Sequence, residues 1–333
     1  MIKKSSYKLL FVFLTVLLSV FSLILGLGFG SVSLSLKECV KGLVFGEGAS
    51  GIIIRALRLP RVLGALLCGA ALSVSGLLLQ SATGNDLAAP NTVGINSGAG
   101  AAVMVALCFI PTAYALESLL AFFGALLAAF ITLGLSLGKR GGLSRSSVVL
   151  AGVAVGAMFN AFISYLSVRF PDALISYNVF SVGGFSGLYM EDILLPSIII
   201  IAMLVWSMLL TPSLNLLSLG DELAVSLGVR VTRLRFTAIA IAAALASASV
   251  SFAGLIGFVG LIVPHTASRI IGNDKRFLLP FCAFFGAAFV TLADLLGRIL
   301  FAPSELPVGI LLGALGAPFF LVILLLKTRR EKA

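Results

Sequence analysis

Long apolar runs separated by short polar clusters make up nearly the whole chain. Ten recur, at roughly 9–30, 61–82, 92–110, 113–137, 146–168, 193–210, 236–253, 254–271, 277–300 and 307–326. A helix needs about 20 apolar residues to cross a bilayer. Lipid admits only structures whose backbone groups are all paired, and runs this long and continuous select helices over alternating strands. The expected fold class is an all-α integral membrane protein, a polytopic bundle of about ten transmembrane helices forming a single domain over 1–333. The first run follows Lys3, Lys4 and Lys8. It is too long for a signal-peptide core and lacks a small-x-small cleavage site, so it reads as a retained span.

The interruptions carry the local information. The longest charged one is 214–235, LNLLSLGDELAVSLGVRVTRLR. Within it Asp221 and Glu222 suit the positive end of a short helix, Leu223 and Leu227 share one face, and Gly228 is a natural stop. Such a helix is too short to span, and two readings stay open: a docking element or an ordinary helical connection. The segment Ser31–Leu57 allows a short strand at Ser31–Leu36, then a surface helix around Cys39–Phe45. A further short helix, ending at Gly183, fits between Arg169 and Asp192.

Composition sharpens the picture. Hydrophobic residues make up 60% of the chain and charged ones 11%, with a mean hydropathy of +1.17. The net charge of +10 is spread in clusters between runs, including Lys139, Arg140 and Arg145, which argues against nucleic acid. With the N-terminus inside, 16 of the 23 lysines and arginines fall on the inner side, and only Lys37, Lys41, Arg55, Arg58, Arg61, Arg169 and Arg298 on the outer. The positive-inside rule then makes both termini and the 214–235 segment cytoplasmic. The outer arginines Arg58, Arg61 and Arg298 run against that bias. Snorkelling to headgroups would explain them, but an acidic partner outside is the favoured reading.

Candidate chemistry is sparse. Gly152, Gly156, Asn160, Ser164 and Ser167 lie on one face of the fifth run, small below and polar above. Interhelical hydrogen bonding is one reading of this stripe; the polar lining of an aqueous pathway is the other, and is preferred. Gly98 to Ala102 are all small, which lets helices approach closely. His265, the sole histidine, follows Pro264 and is expected to satisfy a freed backbone carbonyl rather than bind a metal. Asp294 and Arg298 are expected to neutralise one another at helical spacing. The four cysteines show no metal or disulfide spacing. No phosphate loop or nucleophile–base pair occurs, so the chain is not expected to be an enzyme; the lack of a midplane carboxylate relay weighs against a secondary transporter. An ion-driven secondary transporter and a non-transporting membrane scaffold remain as alternatives.

Arg58-Leu-Pro-Arg61, Asn85–Gly94, Gly220-Asp-Glu-Leu-Ala-Val-Ser-Leu-Gly228, Gly257-Phe-Val-Gly-Leu-Ile-Val-Pro-His265, Leu292–Arg298 and Glu305-Leu-Pro-Val-Gly309 occur in order along the chain. Together they resemble the permease subunit of bacterial ATP-binding-cassette importers for iron–siderophore, haem and cobalamin, the ten-helix vitamin B12 permease type. The resemblance implies a homodimer in the bacterial cytoplasmic (inner) membrane. Two cytoplasmic ATPase subunits, which hold the ATP and Mg²⁺, would engage Leu219, Gly220, Asp221, Glu222, Leu223, Ala224, Leu227 and Gly228. An extracytoplasmic substrate-binding protein would dock on Arg58, Arg61 and Arg298. The metal-chelate or corrinoid substrate would pass Asn160, Ser164 and Ser167 to a cytoplasmic gate loop at Asn85, Asp86, Leu87 and Pro90. The family usually has Pro where this chain has Asp86.

Overall fold

The computed structural model describes residues 2–30, 36–44, 51–110, 114–136 and 145–331. Among them there is no strand. The helices are α1 (Ile2–Gly28), α2 (Leu36–Val44), α3 (Leu59–Thr83, entered through a π-turn at Ile53–Arg58), α4 (Ile95–Phe109), α5 (Tyr114–Ser136), α6 (Arg145–Arg169) and α7 (Pro171–Val182). They continue as α8 (Met190–Leu209), α9 (Thr211–Leu217), α10 (Asp221–Ser226), α11 (Val231–Ala253), α12 (Val259–Ile271), α13 (Lys275–Leu300) and α14 (Val308–Glu331).

Each expected apolar run falls on one of these helices. Seven described helices are long and apolar enough to cross a membrane, and three shorter apolar ones, Ile95–Phe109, Val259–Ile271 and Val308–Leu321, accompany them. Two starts differ from expectation. The run at 92 begins as a 3-10 turn, Pro90–Val93, and turns into α4 at Gly94 with φ +80°. The run at 254 becomes helical only at Val259, because Gly254 and Phe258 hold positive φ, +69° and +64°, which a continuing right-handed helix does not accept. The expected surface helix is α2. The strand expected from Ser31 falls on residues 31–35, which lie outside the described residues, as do Lys139, Arg140 and Lys332.

The helices form an inner set and an outer set. The most apolar windows of α3, α11 and α13 are 83%, 78% and 72% buried, whereas those of α1, α6 and α8 are each 22% buried. What the outer set exposes is apolar: Leu9, Phe13, Phe21, Leu150, Tyr165, Leu194 and Ile198 are all about half exposed or more. In water such a surface would be a liability; against lipid tails it is the matching one.

Central α3 packs on α8, α11, α12 and α13. Glycine permits the closest approaches: a Cβ on Gly69 would stand 2.1 Å from the Gly286 carbonyl oxygen, and one on Gly76 2.0 Å from that of Gly260. Ser73 Oγ donates to the Cys282 carbonyl at 2.7 Å and Ser75 Oγ to that of Ala242 at 2.6 Å. These hydroxyls tie helices together where burying apolar surface contributes little. The small run at Gly98 does the same for α4 and α5, with Gly124 opposite.

Parallel α1 and α13 define two ends. At one, Lys8 Nζ sits 5.5 Å from the centre of the Phe277 ring. At the other, Arg298 Nη2 donates to the Gly26 carbonyl at 3.2 Å. The Lys8 end carries α9, α10 and the 84–90 loop; the Arg298 end carries α2 and the π-turn.

Candidate functional site

At the Lys8 end, α9 and α10 form a bracket fixed at two points. Pro212 starts α9, which buries Leu214 and Leu217. Its Asn215 bridges outward: Nδ2 donates to Asp274 Oδ1 at 2.8 Å, while Oδ1 accepts from the Lys275 backbone N–H at 2.8 Å. Asp274 also caps α13 by accepting from the Arg276 N–H at 3.1 Å. The second fixing point is an ion pair, Asp221 Oδ1 to Arg235 Nη2 at 2.8 Å, from the first turn of α10 to the first turns of α11.

The expected short helix is present, opened by Gly220 at φ +109° and followed by Gly228 at φ +84°. Only Ala224 of α10 is buried. Leu219, Leu223, Val225 and Leu227 are exposed by 57%, 56%, 60% and 57%. The apolar face thus points away from the bundle, and Glu222 beside it is exposed too. Four large apolar side chains thus lie uncovered on a braced turn, the kind of exposed apolar patch that a partner can cover.

Thr83, Asn85 and the 3-10 turn shape the loop between α3 and α4. Asn85 Oδ1 accepts from the Leu87 N–H at 3.0 Å, an Asx turn that sets the loop's direction. Leu87 is half-buried, Pro90 buried and Asp86 exposed. A Cβ on Gly152 of α6 would meet the Thr92 carbonyl oxygen at 2.1 Å, so the lower half of the α6 stripe clamps this loop. In its upper half Asn160 and Ser164 are exposed and Ser167 half-buried. The two serines donate back to the carbonyls of Asn160 and Ile163, at 2.9 and 2.8 Å.

The arginine end departs from expectation. Arg58, Arg61 and Arg298 do gather there, but they are 6%, 8% and 4% exposed and turned inward. Arg58 Nη1 donates to the Leu27 and Gly28 carbonyls at 2.7 and 2.9 Å, covering the C-terminal end of α1. Arg61 grips Asp294 through Nε and Nη2 and reaches Glu305 through Nη1. Arg298 Nε stands 3.3 Å from the same Asp294 carboxylate, the expected pair one turn apart. Charges this deep must be paired within the protein, so these arginines bind α1, α3 and α13 together. Beside them burial raises the Cys39 thiol pKa above its ordinary value, with Arg58 drawing it back down.

Asp294 and Glu305 as partners of Arg61, and Asn215 as the brace of α9, were not anticipated. The sequence signal for the first was charge itself: ionisable residues inside apolar runs have to find one another. His265 also departs from expectation, since its Nε2 is enclosed without a hydrogen-bond partner. Among the described residues no three His, Cys, Asp or Glu side chains cluster as metal ligands.

Residues 17–326 match the model of the FecCD transport family. The chain belongs to that family. Among similar proteins, the Fe(3+)-citrate import system permease protein YfmE of Bacillus subtilis is 38% identical over 322 residues, 96% of this chain and 95% of that one. The hemin transport system permease protein HmuU of Yersinia pestis is 37% identical over 284 residues, 83% and 84% of the two chains. A solved ABC transporter in an inward-facing conformation superimposes with a TM-score of 0.81 at 30% identity, covering 95% of this chain and 99% of that one. This FecCD protein is accordingly a multi-pass membrane permease subunit of the ABC importer class.

Proposed function

We propose that the chain works as a pair of copies enclosing one pathway in a bacterial cytoplasmic membrane, with ten spans per copy and both termini in the cytoplasm. Two ATPase subunits seat on Leu219–Gly228. They hold the ATP and Mg²⁺, and the permease itself carries out no bond chemistry. One observation supports this most: α10 offers an exposed apolar face while Asp221–Arg235 and Asn215–Asp274 tie its bracket to α11 and α13. A pull on α10 is therefore delivered to two inner helices, which is what switching between two packed arrangements needs. The gate loop 85–90, clamped by Gly152, lies on the same end.

The opposite end receives the extracytoplasmic binding protein. Arg58, Arg61 and Arg298 shape that rim from within, and the exposed Arg55 and partly exposed Glu305 form its surface. The substrate class is an iron chelate, ferric citrate or another siderophore, or haem, supported by what the relatives' names state. A corrinoid is the second reading, from sequence resemblance alone. Asn160, Ser164 and Ser167 line the path; small and uncharged, they suit a bulky complex that has to slide past.

Uptake into liposomes that hold the permease, its ATPase and its binding protein tests this. Ferric citrate, a ferric hydroxamate, haem and cobalamin are offered in parallel, with and without internal ATP and Mg²⁺. ATP-dependent accumulation of an iron chelate is expected. Accumulation driven by an ion gradient alone would make the protein a secondary transporter, and cobalamin uptake alone would reassign the substrate.

A further inference from the structure

Between the gate loop and the α9–α10 bracket lies a cavity of about 440 Å³, within the range of small-molecule sites. Gly84 and Asp86 form one wall, Ser218, Leu219 and Gly220 another, and α12 and α13 the floor. Two features of the floor are out of balance. Lys275 is 8% exposed, yet among the described residues its ammonium makes neither a hydrogen bond nor an ion pair; only its backbone N–H is engaged, by Asn215. His265, which lines the same space, has its enclosed Nε2 unpartnered.

A buried ammonium that makes no ion pair is costly, because it has left water without a partner in contact. The one carboxylate on the wall, Asp86, is exposed; its charge acts on Lys275 and His265 through space, without an ion pair to Lys275. Gln80 donates its Nε2 to the Gly260 carbonyl at 3.0 Å, and among the described residues its acceptor Oε1 makes no hydrogen bond to Lys275. Ser81 and Ser268 donate back to helix carbonyls but keep lone pairs and some freedom to turn. What the cavity lacks is an acceptor of negative charge placed between Lys275 and His265.

We propose that this cavity is a binding site for a small oxyanion, phosphate in chemical type, held by Lys275 with His265 Nε2 as its second contact. Free phosphate and a lipid phosphate headgroup share that chemistry. An occupant would touch the gate loop and the bracket at once and so hold them at a fixed separation. That consequence rests on the transport reading; the binding does not.

The test is thermal melting of the full chain in phosphatidylcholine nanodiscs, titrated with sodium phosphate against sodium chloride at equal ionic strength. Wild type is expected to show a saturable rise of a few degrees with phosphate only. Lys275→Gln is expected to lose that rise while melting no lower than wild type without phosphate, because it removes an uncompensated charge. Lys275→Arg should keep the response, and Asp86→Asn should shift it to lower phosphate concentration. Replacing part of the lipid with phosphatidylglycerol separates the sources. A Lys275-dependent stabilisation by that lipid, with free phosphate then silent, assigns the site to a headgroup. Equal phosphate responses in wild type and Lys275→Gln, or none in any lipid, would overturn the proposal. So would matching losses of stability in Lys275→Gln and Asp86→Asn, which would show that Asp86 is the counter-charge.

Discussion

Arg61 on α3 holds Asp294 on α13 side-on, Nε to Oδ2 at 3.0 Å and Nη2 to Oδ1 at 2.9 Å, across 233 positions of sequence. Asp294 is 2% exposed, and its oxygens also face Arg298. Removing one partner strands a charge, which typically costs about 3–5 kcal/mol, whereas removing both together often costs little. Arg61→Leu is therefore expected to lower the melting temperature of the purified chain sharply, and Asp294→Leu likewise. Arg61→Leu/Asp294→Leu should cost less than the two single losses summed, although Arg298 then lacks its carboxylate. Melting curves of the four proteins form the double-mutant cycle; losses that simply add would show that the pair does not hold α3 to α13.

Leu223 is 56% exposed, so an aspartate there disturbs nothing inside the chain. Surface changes of that kind stay within about 0.5 kcal/mol. Leu223→Asp should melt like wild type yet fail to copurify with the ATPase and fail in ATP-dependent uptake. Retained uptake would mean that α10 is not where the ATPase seats.

How much of this was legible beforehand depends on what each residue answers to. Helix positions and the α10 motif were readable because apolar run length, Gly228 and the Asp221–Glu222 pair are local signals. The late start of α12 was not, since nothing about Phe258 as a residue type announces a positive φ. The arginines were found by charge counting, which gives their common end, while their inward turn depends on Asp294 and Glu305, more than 200 positions away from Arg61. Lys275 read as one more inner-side cation, and only the packing of α9 against α13 shows that it is buried.

Glycine packing gives a pair of opposite expectations. A Cβ on Gly76 would lie 2.0 Å from the Gly260 backbone oxygen, while one on Gly134 of α5 meets nothing within 4 Å. Gly76→Ala must push α3 and α12 apart and should destabilise by about 1–3 kcal/mol. Gly134→Ala replaces a helix-interior glycine at no steric cost and should stabilise by roughly 0.5–1 kcal/mol. Thermal melts in one detergent check both. A neutral Gly76→Ala would show that the α3–α12 seam is loose enough to yield.

The α6 stripe can be tested for water directly. Asn160 is exposed on the polar side, and Tyr165 is 65% exposed elsewhere around the same helix. A thiol reacts as its thiolate, which water favours and lipid suppresses. In a chain freed of Cys39, Cys68, Cys108 and Cys282, Asn160→Cys should therefore react with a charged maleimide at least about tenfold faster than Tyr165→Cys in the assembled transporter. If the stripe lines a pathway that opens alternately, the Asn160→Cys rate should also change when ATP binds, while Tyr165→Cys stays slow throughout. Equal, slow and ATP-independent rates would place Asn160 against lipid or packed protein. Its amide, with Ser164 and Ser167, would then serve helix contacts instead of transport.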